Sequence, residues 1–327
     1  MEKNPEKFCR KILQQVSRSF ALTIPLLDKR LKDAVLIVYL QDRLLDNFED
    51  ELPAISLAQR RALMDKVVAI FAPQHQSLPP EVEEIKAWAD EFNDKALQKM
   101  VAGTDKIWQA YQGLEQSIQR LSFDWLTEMN QGMQEYLQQE IKTFADLDEY
   151  CYYVAGTVGG FLTDLLLAKT EVSTADKEIL KANFTDAGLF LQKVNITRDI
   201  KEDIAARERI FWPLPEFNLE EEELLQTENK AAALEALSEM VSSTAKHIEP
   251  LLEYYQAIPA EFTGYRRFFA VNNALGLATL SKLKDNPQVF WGAKPVKVGK
   301  LTLARILKSP EKNLLSLADD FLKEFKK

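Results

Sequence analysis

Cysteine, histidine, glycine and proline are all scarce in this chain: its 327 residues hold two Cys, two His, 11 Gly and 13 Pro. Cys9 and Cys151 do not support a disulfide framework, and with His75 and His247 they do not support a His/Cys zinc site. A reducing cytosol fits such a chain. Few glycines and prolines beside abundant Leu, Ala, Glu and Lys favour helix over strands and turns. Excess positive charge is also absent. The net charge of -9 argues against nucleic acid as a partner. An anionic substrate stays open, because metals invert local charge. No continuous apolar run reaches the ~18 residues that would span a bilayer. The start MEKNPEKFCRKIL lacks the apolar stretch of a signal peptide, and the end LADDFLKEFKK offers no tail anchor. The expectation is a cytoplasmic protein with no transmembrane anchor, peripheral membrane contact being left open.

What is present is helical periodicity. Apolar spacing predicts helices near residues 6–22, 31–50, 81–99, 103–121, 123–140, 145–169, 181–206, 227–257, 260–285 and 301–325. Ser56 opens another through about Phe71, and Ser173 or Thr174 starts a further stretch. Proline-rich punctuation falls at 72–80, and RERIFWPLPEFNLEEEE reads as an aromatic loop. Glu220–Glu223 reads as a solvated helix start. No strand-rich block, repeat or linker interrupts the pattern, so one all-α domain over 1–327 is expected.

Two ladders of oxygen-bearing side chains stand out. Asp42, Asp46 and Asp50 lie in LIVYLQDRLLDNFEDEL; Asn195, Asp199 and Asp203 lie in GLFLQKVNITRDIKEDI. Each steps by four, so each lines one helical face. Tyr39 and Arg43 continue the first stripe, with Asp42 and Glu49 flanking it. Both ladders have apolar surroundings, where an unpaired carboxylate is costly. Facing each other, they could hold Mg2+ through oxygen ligands and grip a diphosphate. The plainer alternative for the first is Asp–Arg surface pairing, and for the second a solvated face beside Arg198 and Lys201.

DEYCYYVAGTVGGFLTDLL concentrates Gly156, Gly159 and Gly160 in a predicted helix. Helical glycine is unfavourable by roughly 1 kcal/mol relative to Ala, so close packing or a ligand against the backbone is implied. Tyr150 and Tyr153, one turn earlier, could line a pocket or fill core. Ser17, Arg18, Ser19 and Phe20 in SRSFALTIPLL suit phosphate oxygens, or form a helix junction.

These segments together resemble the squalene/phytoene synthase family. SRSF, YLQDRLLDNFED, YCYYVAG and NITRDIKED occur in the family's order, over about residues 8–305. The resemblance implies the all-α isoprenoid synthase fold, and head-to-head joining of two allylic diphosphates with Mg2+. GLFLQKVNITRD, RIFWP and VFWGAKPVKVGK look like the squalene-forming branch. That branch implies a farnesyl-diphosphate farnesyltransferase acting through presqualene diphosphate, then NADPH-dependent reduction. By resemblance, Asp46, Glu49, Asp50, Asn195, Asp199 and Asp203 would hold Mg2+ on farnesyl diphosphate. Ser17, Arg18, Ser19 and Arg43 would meet phosphate oxygens, with Gln192, Arg198 and Arg209 also on the substrate. Phe20, Tyr39, Tyr150 and Tyr153 would offer aromatic faces to an allylic cation, Tyr150 also steering it or a proton. Lys294, Lys297 and Lys300 would meet the cofactor's phosphates, although Gly299 stands where the branch has a basic residue. Two alternatives stay open: a synthase making dehydrosqualene or phytoene without reduction, and a non-catalytic assembly or scaffold relative.

Overall fold

The computed structural model describes residues 2, 4–52, 55–207 and 209–325, except the side chains of 206 and 207. No strand occurs among them. The chain groups into two compact units, Met1–Gln138 with Phe161–Glu171, and Gln139–Gly160 with Val172–Lys327.

The first unit opens with α1 (Pro5–Val16), capped by Asn4, whose Oδ1 accepts from Lys7 N at 2.8 Å. Helix α1 buries Phe8, Cys9, Ile12 and Leu13, one apolar stripe. The chain breaks at Ser17 and resumes as α2 (Ser19–Thr23). Helix α3 (Lys29–Asp50) is buried along much of its length, from Leu31 to Phe48. Helix α4 (Leu57–Ile70) starts with a Ser56–Gln59 capping box. Short helices α5 (Glu81–Lys86), α6 (Lys95–Ala102) and α7 (Thr104–Gln112) precede α8 (Gln116–Tyr136). Edge-on aromatic pairs tie this core: Phe48–Phe92 and Phe71–Tyr111, each 5.4 Å between centroids.

The second unit begins with α9 (Phe144–Cys151), which runs through a π-helical turn at Tyr152–Gly156 into α10 (Thr157–Lys169). Phe161 onward in α10 groups with the first unit. By length and composition alone, the 26-residue stretch Phe144–Lys169 could cross a membrane: an 18-residue window within it has mean hydropathy 1.3. Leu147, Tyr150, Cys151, Leu165 and Leu166 are nonetheless buried inside the protein.

Helix α11 (Thr174–Glu202), capped by Ser173, is the centre of the second unit. It ends in a second π-helical stretch, Asp203–Arg207. Helices α12 (Glu221–Leu224), α13 (Lys230–Ala245), α14 (Ile248–Ala257), α15 (Thr263–Leu283), α16 (Gln288–Trp291), α17 (Lys300–Lys308) and α18 (Pro310–Phe325) follow. Helix α11 packs on α13, α14, α15 and α16, and α18 packs on α15. The predicted aromatic loop is anchored rather than loose: buried Trp212 donates Nε1–H to Ile196 O of α11 at 3.2 Å.

Helix content follows the sequence expectation, and several boundaries differ. The predicted break near 121–123 lies instead at Gly113–Glu115, after which Gln116–Tyr136 runs unbroken. The stretch from Ser173 and the 181–206 helix are one helix. Residues 227–257 split at Lys246–His247, and 301–325 split at Ser309.

Candidate active site

In the first unit, the apolar sides of α3 are buried and its acidic stripe is half-buried at Asp42, Asp46 and Asp50. Glu49, by contrast, is only 3% exposed. Asp46, Glu49 and Asp50 bring carboxylate oxygens within 4.8 Å of one another. Three hard oxygen donors so close suit a divalent cation that keeps waters or phosphate oxygens as its other ligands. Asp42 stands apart from that trio. Burial, reinforced by the Asp46 charge, pushes its carboxyl up to about 8. Arg43 closes on Asp46 one turn along and reaches Glu51 at 3.9 Å. The plain ion-pair reading of this stripe is therefore realised alongside the carboxylate cluster.

SRSF is a helix junction, and its first residue faces the same stripe. Ser17 Oγ accepts from Phe20 N at 3.1 Å and lies close to the Tyr39 side chain. Phe20 packs on Tyr39 at 5.0 Å. Arg18 and Ser19 belong to the same junction, with Ser19 exposed. The structure thus groups Ser17, Phe20, Tyr39 and Arg43 in the first unit around the start of the acidic stripe.

In the second unit, burial increases along the other ladder. Asn195 is exposed, Asp199 half-buried and Asp203 only 2% exposed. The Asp203 N–H still bonds Asp199 O, so helical register holds through the last rung. Arg198 grips Asp199 with two nitrogens, Nε to Oδ1 at 2.7 Å. Gln192 is half-buried on the same helix. Arg198 and Asp199 border a cleft of ≈ 230 Å³ with Lys201, Glu202 and the 288–295 segment. Lys294 lines this cleft. Lys297 and Lys300 are exposed and are not among its lining residues.

Tyr150 is 2% exposed and stacks on Phe211, centroids 4.9 Å apart and planes 23° off parallel. Arg209 lies over both rings, 5.4 Å from Tyr150 and 4.7 Å from Phe211. Tyr153 is half-buried, edge-on to Tyr152. The glycines nearby serve close packing. A Cβ at Gly159 would stand 2.5 Å from Phe184 O, and one at Gly188 2.4 Å from Ala155 O. The π-helical turn thus lies backbone to backbone on α11, with no room for a side chain.

A polar cluster in this unit is not visible from helical spacing. Lys193 of α11 is 1% exposed, and its Nζ meets Ser243 Oγ at 2.9 Å and His247 Nε2 at 3.1 Å. It also pairs with Asp148 of α9. His247 Nδ1 lies 2.7 Å from Asp186 Oδ1. A lysine inside the apolar run LFLQKVNI is the available signal; its partner Ser243, 50 residues away in sequence, is not readable.

With this geometry, the family model for squalene/phytoene synthase matches residues 13–302. Squalene synthase 1 of Arabidopsis thaliana is 33% identical over 300 residues, covering 89% of this chain and 68% of that protein. The squalene synthase of Nicotiana benthamiana is 33% identical over 299 residues, with the same coverage of each. Among solved structures, TcSQS with the ligand BPH1237 superposes at a TM-score of 0.85 and 29% identity, over 97% of this chain and 90% of that one. A ligand-bound dehydrosqualene synthase superposes at 0.60 and 20% identity, over 95% and 97%, which shows a shared fold. The chain belongs to the squalene/phytoene synthase family and has its all-α isoprenoid synthase fold.

Proposed function

We propose that this squalene/phytoene-type synthase joins two molecules of farnesyl diphosphate head to head through presqualene diphosphate, and that NADPH reduces the product to squalene. The observation that carries the reading is the Asp46, Glu49 and Asp50 trio, whose oxygens lie within 4.8 Å of one another. Its donor set fits Mg2+. Asp46, Glu49 and Asp50 on α3, and Asn195, Asp199 and Asp203 on α11 and its π-helical end, are the residues that would hold the metal. Bound there, Mg2+ would neutralise charge on a departing diphosphate.

The chain's own groups account for the rest. Arg43 and Arg198 each close on an aspartate of their own helix. A diphosphate offers each guanidinium a bidentate partner in place of its aspartate, releasing the aspartate for metal. Ser17, Arg18, Ser19 and Gln192 add donors to substrate oxygens. The allylic cation left by ionisation needs an environment without a nucleophile. Aromatic faces at Phe20, Tyr39, Tyr150 and Tyr153 supply it through their quadrupoles. Arg209 sits against Tyr150 and holds that ring in its stack on Phe211.

NADPH would supply a hydride to the rearranged cation. Lys294, beside Arg198 and Lys201 on the cleft, is the best-placed of the three lysines for its phosphates. The exposure of Lys297 and Lys300 outside that lining favours a second reading, release of a dehydro product by proton loss. Product identification with and without NADPH separates the two. Squalene formed only with NADPH, and lost selectively in Lys294→Ala, is the expected result. A product indifferent to NADPH rejects the reductive half and leaves dehydrosqualene or phytoene synthesis.

A further inference from the structure

An ammonium taken out of water is costly unless every proton finds a partner. Lys193 is 1% exposed and has three: Ser243 Oγ, His247 Nε2 and the Asp148 carboxylate. His247 is fixed in turn by Asp186, seven residues before Lys193 on α11. The cluster therefore joins α9, α11 and α13, and it reaches solvent through Asp148, whose side chain is 43% exposed. Asp148 stands two residues before Tyr150 on α9. Lys193 shares α11 with Asn195 and Asp199.

A second attachment holds the same two segments. Beyond Tyr150 the π-helical turn lies on α11 through Gly188 and Ala155, and Gly159 lies against Phe184. The glycine contacts fix how close the segments come, but bare backbone surfaces can slide. A charged, directional contact nearby resists sliding. Tyr150 falls between the two attachments.

We infer that Lys193 is a positioning residue: through Asp148 it locks α9 to α11 and so sets where Tyr150 stands relative to the Asn195–Asp203 ladder. The catalytic consequence rests on the reading of Tyr150 and that ladder given under Proposed function. The mechanical part does not.

The test uses the full chain and four substitutions: Asp148→Asn, Asp148→Glu, Ser243→Ala and, for a double-mutant comparison, Tyr150→Phe. Asp148 reaches solvent, so its replacement spares the core that Lys193→Met would disturb. Hydrogen exchange of the Phe144–Cys151 amides should quicken roughly tenfold in Asp148→Asn, by local opening. In Ser243→Ala it should stay near wild type. With farnesyl diphosphate and Mg2+, Asp148→Asn should lose roughly tenfold in kcat with KM little changed, and Asp148→Glu should recover part of it. Adding Tyr150→Phe to Asp148→Asn should cost less than the product of the two single losses, because both act through one ring. Unchanged exchange in α9 overturns the inference. So do losses that simply multiply, or a kcat loss that Ser243→Ala matches at equal stability. A wild-type protein inert to farnesyl diphosphate would instead sink the proposed function, and exchange alone would then decide the positioning role.

Discussion

Tyr150 is buried, and the proposed function gives its hydroxyl a chemical role. Its ring is fixed by Phe211 on one face and Arg209 nearby, so its hydroxyl has few places to point. Tyr150→Phe keeps the stack and removes only that hydroxyl. If it steers a proton or the cation, kcat should fall by roughly a hundredfold with a far smaller change in KM. Steady-state kinetics at saturating Mg2+ gives the answer, and an unchanged kcat would return Tyr150 to a packing role. The two cysteines behave in the opposite way. Burial pushes the Cys9 thiol up to about 12 and raises Cys151 further. Both should stay protonated at a pH of about 8, far below those values, and resist iodoacetamide until denaturant opens the chain. Mass spectrometry would detect native-state alkylation of either, which would contradict the burial described.

At the scale of elements, the contact between the π-helical turn and α11 leaves no room for a methyl. A methyl at Gly188 would meet Ala155 O at 2.4 Å and Gly156 N at 2.8 Å, backbone atoms that cannot rotate away. Gly188→Ala should therefore cost roughly 1–3 kcal/mol of stability. A Cβ at Gly299 would meet nothing within 4 Å, so Gly299→Ala should be close to neutral. Urea denaturation of the two variants tests both, and equal midpoints would reject the close-packing account. The cluster of glycines in YYVAGTVGG announces such a contact in the sequence. The π-helical register at Tyr152–Gly156 is not legible there, because tertiary packing rather than propensity decides it. Gly113 marks the break at Gly113–Glu115, but apolar periodicity continues across it and moves the expected boundary to 121–123. The Lys193 cluster is hidden for another reason: its helix pattern is intact, and only the fold brings His247 and Asp148 to it.

For the molecule as a whole, the all-α class is written in composition and in the 3.6-residue period, both of which are local properties. The division into two compact units is not, since no linker composition marks residues 138–139, 160–161 or 171–172. Each unit carries one ladder: Asp46 belongs to the first and Asp199 to the second. Spacing makes both ladders legible, and Glu49 joins its trio because i+3 and i+4 neighbours share a helical face. That one reaction needs both is the central claim, and one measurement addresses it: conversion of farnesyl diphosphate by purified wild type, Asp46→Asn and Asp199→Asn across a Mg2+ titration, with the products identified. The predicted result for the wild type is Mg2+-dependent formation of presqualene diphosphate or a hydrocarbon built from two farnesyl chains. Each variant should lose roughly a hundredfold or more, with helical content unchanged. Full turnover by either variant at ordinary Mg2+, or no joined product from the wild type, would contradict the claim.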